Sequence, residues 1–264
     1  MRTTSPILSE GREIRPLTGV RGMAAGLVLW RHFSGLWVPL LPLLGWFSSL
    51  ALNGQIGVDL FFVLSGFILA YVHESDQVQF NKRSHLKFLW LRLARVYPIH
   101  LAVLGLFAVF AFWGNLFAGE HLGSYPLTSL PFQLTMTHAW IVVHTYQWNY
   151  PSWSISAEWF AYLLMFPVSV WILKRKLPAA NLFLIGYALL CGWVVLLISH
   201  RGEEFWRYGA VIRVGLEFLA GSAFYGVFQQ RSPIIRFCQK WCTPIICSWL
   251  LLLVATRPGY AHWF

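Results

Sequence analysis

Seven ionisable side chains stand inside or at the ends of long apolar stretches: Arg21, Arg31, His32, Asp59, Glu158, Arg213 and Glu217. Charge in a membrane-like setting is costly enough that each is a candidate for function. Arg21 and His32 are eleven residues apart, three helical turns plus about 20°, so on one helix they share a face and lie roughly 16 Å apart. A histidine whose one ring nitrogen is bonded to a carboxylate has a fixed tautomer and a more basic second nitrogen, which suits it to take a proton from a hydroxyl. Two carboxylates fall in the same half of the membrane as His32. Asp59 lies in the run Gly57 to Phe67, and Glu158 follows Trp153-Ser154-Ile155-Ser156-Ala157. Which of the two partners His32 is left open. The structural alternative is that each carboxylate pairs with an arginine such as Arg31 or Arg213. Arg21 is then a snorkelling anchor and His32 a helix–helix hydrogen bond. Arg213 and Glu217, four residues apart, can satisfy each other.

Arg92 and Arg95 are one helical turn apart where an apolar run begins, so their two guanidinium forks can clamp the phosphates of a cytosolic cofactor. Ordinary basic anchoring at the membrane edge is the competing reading. The chain carries no Gly-x-Ser-x-Gly elbow and no His-Glu-x-x-His pattern, so neither a serine hydrolase nor a metal site is expected. Cys191, Cys238, Cys242 and Cys247 lack the paired spacing of a zinc site and read as packing residues.

The elements that must hold these residues follow from composition. Only 11% of the residues are charged and 57% are hydrophobic, against roughly a quarter charged in soluble domains, which excludes a soluble fold. Apolar runs long enough to span a bilayer occur at 17–39, 54–73, 96–118, 154–173, 180–199, 208–228 and 243–257. They predict an all-α polytopic bundle of about seven crossings in a single domain over 1–264. Basic residues concentrate in three places: Lys82, Arg83, Lys87, Arg92 and Arg95; Lys174, Arg175 and Lys176; and Arg231, Arg236 and Lys240. The positive-inside rule makes these loops and the N-terminus, with Arg2, Arg12 and Arg15, cytoplasmic. A full crossing by Leu134 to Val143 would put Lys174 to Lys176 outside, so that stretch is expected to be interfacial or re-entrant. The net charge of +10 then serves topology and contact with anionic lipid, and nucleic acid is not an expected partner. The first apolar run lacks a small-residue cleavage site and is expected to be a retained span.

Four stretches together resemble the acyltransferase-3 family of membrane O-acyltransferases, which modify cell-surface polysaccharides and related glycans. They are Pro16 to Gly22 continuing through His32, Gly57 to Phe67, Arg92 to Pro98, and Pro151 to Pro167 with its Trp-Ser-Ile-Ser-Ala-Glu core; Arg213 to Gly221 is a weaker fifth. The resemblance covers most of residues 14–225. It implies acyl-CoA, acetyl-CoA by the weight of the family, arriving from the cytoplasm, with no metal. It further implies a saccharide or glycolipid acceptor and residence in a bacterial inner membrane. Arg21, Arg92 and Arg95 become the expected cofactor-binding positions, and His32, Asp59 and Glu158 the expected catalytic ones. Family members resemble bundles of about ten helices, so this chain is expected to lack the last two.

The mechanism so implied rests the CoA phosphates on Arg92 and Arg95, with Arg21 assisting, and runs the pantetheine arm along the first span toward His32. His32 deprotonates the acceptor hydroxyl, and a transient acyl-histidine is a variant of the same scheme. Two rivals use the same residues differently. A transporter or flippase would use the buried charges as a pathway without covalent chemistry, and an inactive truncated remnant would keep only the bundle.

Overall fold

A computed structural model describes residues 15–40, 54, 56–73, 80–114, 117, 125–140, 148–199, 203–231 and 233. Every regular element among these residues is helical: α1 (Arg15–His32), α2 (Ser34–Leu40), α3 (Ile56–Val72), α4 (Lys82–Trp113), α5 (Leu130–Leu134), α6 (Trp153–Phe160), α7 (Phe166–Lys174), α8 (Ala179–Ser199) and α9 (Glu203–Gln229). Helices are what an apolar sequence must form in lipid, because each backbone group then finds its partner within the segment. The runs Lys82–Trp113, Tyr150–Lys174, Ala179–Leu196 and Gly209–Gln229 are long and apolar enough to cross a bilayer. α3, at 17 residues, is shorter, and α1 is diluted by Arg15, Arg21, Arg31 and His32. The expected seven crossings are thus matched by four helices that meet the length and composition of a span; the run 243–257, with Cys238, Cys242 and Cys247, lies outside the described residues.

Helix direction follows from side-chain contacts. The packing sites built on Gly226 and Gly186 of α9 and α8 meet Leu182 and Phe224 respectively, so α8 and α9 are antiparallel. Gly215 faces Met165 and Gly226 faces Leu173, so α6–α7 runs parallel to α9. α3 is parallel to α9 as well, since Asp59 meets Arg213 and Phe67 meets Tyr225. α9 is the central helix, with 67% of its apolar window buried against 17% for α4 and for α8, which are largely exposed.

α3 and α9 touch backbone to backbone. A Cβ on Gly66 would sit 1.9 Å from the Phe218 carbonyl oxygen, and one on Gly221 1.9 Å from that of Val63. Small residues of this kind let membrane helices approach closely where burial of apolar surface offers no driving force between them. Ser222 ties the crossing by donating to the Gly66 carbonyl at 3.2 Å. On the other side of α3, Gly57 rests against Ala24 and Val28 of α1. Gly57 and Gly66 are nine residues apart, about 180° around the helix, so α3 is held between α1 and α9.

α4 is longer than the apolar run 96–118 because a capping box starts it early: Asn81 Oδ1 accepts from the Ser84 N–H at 2.9 Å, and the Asn81 N–H donates to Ser84 Oγ at 3.0 Å. Phe88 stacks on Phe166 at 4.4 Å, while Arg92, one turn on, lies over Tyr162, so α4 and α6–α7 are antiparallel. The connection between them must begin and end on one side of the bundle, which excludes a single full crossing there. Its described part is a 3-10 turn (Leu127–Ser129), the short α5 and a turn through Met136 at φ 53°. The stretch expected to be interfacial, Leu134 to Val143, belongs to this connection as far as Trp140; residues 141–147 lie outside the described set.

Candidate functional site

Three helices converge on Glu158. Between α6 and α7 the helix widens into a π turn, Ala161–Met165, in which the Phe166 N–H bonds the Ala161 carbonyl five residues back; Pro167 follows and has no N–H to restore the tighter ladder. π turns of this kind recur at functional sites. Tyr162, on that turn, donates to Glu158 Oε1 at 2.5 Å, and Ser65 of α3 donates to the same oxygen at 3.3 Å. Both bonds fall on Oε1, so among the described residues Oε2 is uncommitted. Arg92 of α4 lies 5.5 Å from the Phe88 ring centroid and 5.8 Å from that of Tyr162, and the charges of Arg92 and Arg95 both act on the Tyr162 hydroxyl. Neither arginine has a carboxylate partner among the described residues. The structure therefore brings Glu158, Arg92 and Arg95 together around Tyr162, a residue the sequence reading passed over although its four-residue spacing from Glu158 was there to be seen.

His32 stands apart from this cluster. It is exposed near the end of α1, with Nδ1 2.8 Å from the Val28 carbonyl. A carbonyl only accepts, so the hydrogen is on Nδ1 and the lone pair on Nε2. The expected carboxylate partner is thus replaced by a backbone oxygen one turn back, which fixes the same tautomer. Geometry explains the correction. Gly57 faces α1, and Asp59, two residues on, points about 200° away around α3, toward α9. Glu158 lies eight residues, about 12 Å of helix rise, beyond Tyr150, the residue of that segment that lies near Arg31 beside His32. Arg21, also on α1, is exposed and makes no ion pair or hydrogen bond among the described residues.

Asp59 instead accepts from Arg213, at 2.7 Å from Nε and 2.5 Å from the other fork nitrogen, the alternative weighed from the sequence. Glu217 Oε1 lies 3.6 Å from Arg213 Nε, too long for a hydrogen bond, although the i,i+4 pairing is present. The guanidinium is sandwiched by Trp153 and Trp193, each 5.5 Å from its carbon. This triad, in which Arg213 and Glu217 are buried and Asp59 is half-buried, joins α3 to α9.

A second polar cluster, joining His100 of α4 to the connection before α6, was missed. His100 Nε2 donates to the Gln133 carbonyl at 2.8 Å, and the His100 and His138 rings stack with 4° between their planes. His138 Nε2 lies 3.0 Å from Ser152 Oγ, which donates to the Asn149 carbonyl at 2.6 Å. Ser156 Oγ accepts from the Ala139 N–H and donates to the Met136 carbonyl, fixing the turn at Met136. Burial, then the neighbouring His100, pushes His138 down to about 4. It is neutral in the fold, whereas the unfolded chain takes a proton below about 6.5. The stability this contributes is present above pH 6.5 and is lost as pH falls from there toward 4. The native thermal midpoint should therefore drop between pH 7 and pH 5, by roughly 2 kcal/mol of stability, and His138→Gln should remove most of that drop.

A family model described as an acyltransferase domain, that of the acyltransferase-3 family, matches residues 15–264. Acyltransferase MdmB of Streptomyces mycarofaciens is 35% identical over 133 residues, covering 49% of this chain and 32% of that protein. Peptidoglycan O-acetyltransferase OatA of Listeria monocytogenes is 26% identical over 238 residues, 83% of this chain and 35% of that protein. Protein 2 in picA locus of Rhizobium radiobacter is 32% identical over 94 residues, 36% and 44% of the two chains. The aligned region thus spans less than half the length of each of these curated relatives. No solved structure matches.

Proposed function

The chain belongs to the acyltransferase-3 family, and from that premise we propose that it transfers an acyl group, acetyl in first place, from cytoplasmic acyl-CoA to a hydroxyl of a saccharide or glycolipid acceptor. The observation that carries this reading is the pair Arg92 and Arg95, two guanidiniums in a membrane protein with no carboxylate partner among the described residues, beside a carboxylate whose Oε2 is uncommitted. Unpaired arginines at a span invite an anion, and two forks one turn apart suit phosphate. With the basic loops cytoplasmic, the arginines face the side from which acyl-CoA comes. The similarity to a protein named a peptidoglycan O-acetyltransferase favours acetyl and a cell-envelope glycan.

His32 supplies the base. Its Nδ1–H is held by Val28, and Nε2 takes the proton of the acceptor hydroxyl as the oxygen attacks the thioester carbonyl. The tetrahedral intermediate collapses with loss of the CoA thiolate, which recovers that proton from the imidazolium, so no net proton is released. Glu158 Oε2 is the second acceptor available to orient the acyl-CoA or acceptor.

The test is turnover of labelled acetyl-CoA by the purified chain in lipid vesicles with a glycan extract. Label is expected in an alkali-labile ester on the glycan, and Arg92→Ala should raise KM for acetyl-CoA about 10- to 100-fold, the size of a lost charged hydrogen bond. Acetyl-CoA neither bound nor consumed, with glycan translocated instead, would overturn the reading in favour of a transporter.

A further inference from the structure

We propose that Tyr162 is a positioning residue that sets Glu158 relative to the donor site, its hydroxyl holding Glu158 Oε1 while its ring backs the Arg92 guanidinium. The proposal rests on the transferase reading above and extends it to a residue outside the expected set. The hydroxyl bond to Glu158, at 2.5 Å, is the shortest that carboxylate makes, with Ser65 at 3.3 Å. The ring packs edge-on to Phe88 at 5.7 Å, and the same Phe88 carries Arg92 on its face. Phe88 is further fixed by Phe166 at 4.4 Å and His73 at 5.1 Å, so the phenol cannot swing without disturbing a packed aromatic group.

The π turn explains how one residue reaches both neighbours. Glu158 and Tyr162 are four apart, within side-chain reach on a helix face. The widened turn then carries Phe166, four further on, back against the same Phe88. Tyr162 is buried, and both bonded groups fall on Oε1, leaving Oε2 without a hydrogen-bond partner among the described residues. A carboxylate held by one oxygen presents the other in a defined direction, which is what preorganisation of a transfer site requires.

Tyr162→Phe keeps the ring, the Phe88 packing and the support of Arg92, and removes only the hydroxyl. In the vesicle assay it should lower kcat at least tenfold, leave KM for acetyl-CoA and the thermal midpoint near native, and displace the pH dependence of kcat. Infrared spectra of the ligand-free protein should show the carboxyl band that is lost in Glu158→Gln shifted in Tyr162→Phe. A Tyr162→Phe protein with native kcat and native pH dependence overturns the proposal. So does one whose KM rises as in Arg92→Ala while kcat holds, which would make the phenol part of donor binding. Should the native chain turn over no acetyl-CoA, the transferase reading fails by itself, and the infrared comparison still decides this proposal, an unmoved Glu158 band counting against it.

Discussion

Gly221→Leu is expected to abolish the folded, monodisperse protein in detergent, and Gly66→Leu to do the same. At each position a Cβ alone would lie 1.9 Å from a carbonyl oxygen of the facing helix, deep inside van der Waals contact. The obstacle is backbone on both sides, so no side chain can rotate away and the two helices would have to separate. Ordinary overpacking costs about 1–3 kcal/mol. Here the displacement would also pull apart the Ser222 bond to the Gly66 carbonyl and the Asp59–Arg213 pair on the same interface. Asp59 and Gly66 are seven residues apart, about 20° short of two full turns, so one face of α3 carries both. The comparison is Gly105→Leu and Gly192→Leu, on the largely exposed helices α4 and α8, where nothing lies within 4 Å of the added Cβ; these should elute and melt like the native chain. Size-exclusion profile and thermal midpoint read the difference.

The positions of helices were legible because apolar length and bilayer thickness constrain them, and the run 180–199 corresponds to Ala179–Ser199 within a residue. The break after His32 was not, because Phe33 and Ser34 are compatible with either a continued or an interrupted helix; the structure turns there and restarts at Ser34. Arg213 and Glu217 were legible as a pair from spacing, and Asp59 with Arg213 as an alternative. Choosing between that alternative and a His32 partner needed the rotation of α3 about its axis, and no property of residues 57–67 alone fixes which neighbour sees Gly57 and which sees Asp59. Tyr162 was hidden because a tyrosine in an apolar span reads as packing until its hydroxyl's partner is seen. The cluster joins His100, inside the helical run of α4, to Gln133, His138 and Ser152 in the connection before α6, up to 52 positions away, so only the tertiary fold reveals it.

His32→Ala is expected to lower kcat for acyl transfer by 10²–10⁴, the range for loss of a general base, while acetyl-CoA binding persists. The contrast that gives this meaning is Asp59→Asn. Had Asp59 oriented His32, removing its charge would depress kcat in a folded protein. In the structure His32 is oriented by Val28 and Asp59 by Arg213, so Asp59→Asn should act on the bundle instead. It removes the charge that Arg213, 4% exposed, meets across the α3–α9 interface, and removing one partner of a buried charge costs up to about 3–5 kcal/mol. The expected result is a lower thermal midpoint and yield, with the surviving folded fraction turning over at near-native kcat per folded molecule. A fully folded Asp59→Asn protein with kcat as low as that of His32→Ala would return Asp59 to the catalytic unit. In that event the exposed end of α1 must approach Asp59 during turnover, since Asp59 meets Arg213 of α9 while α1, which carries His32, packs on the opposite side of α3.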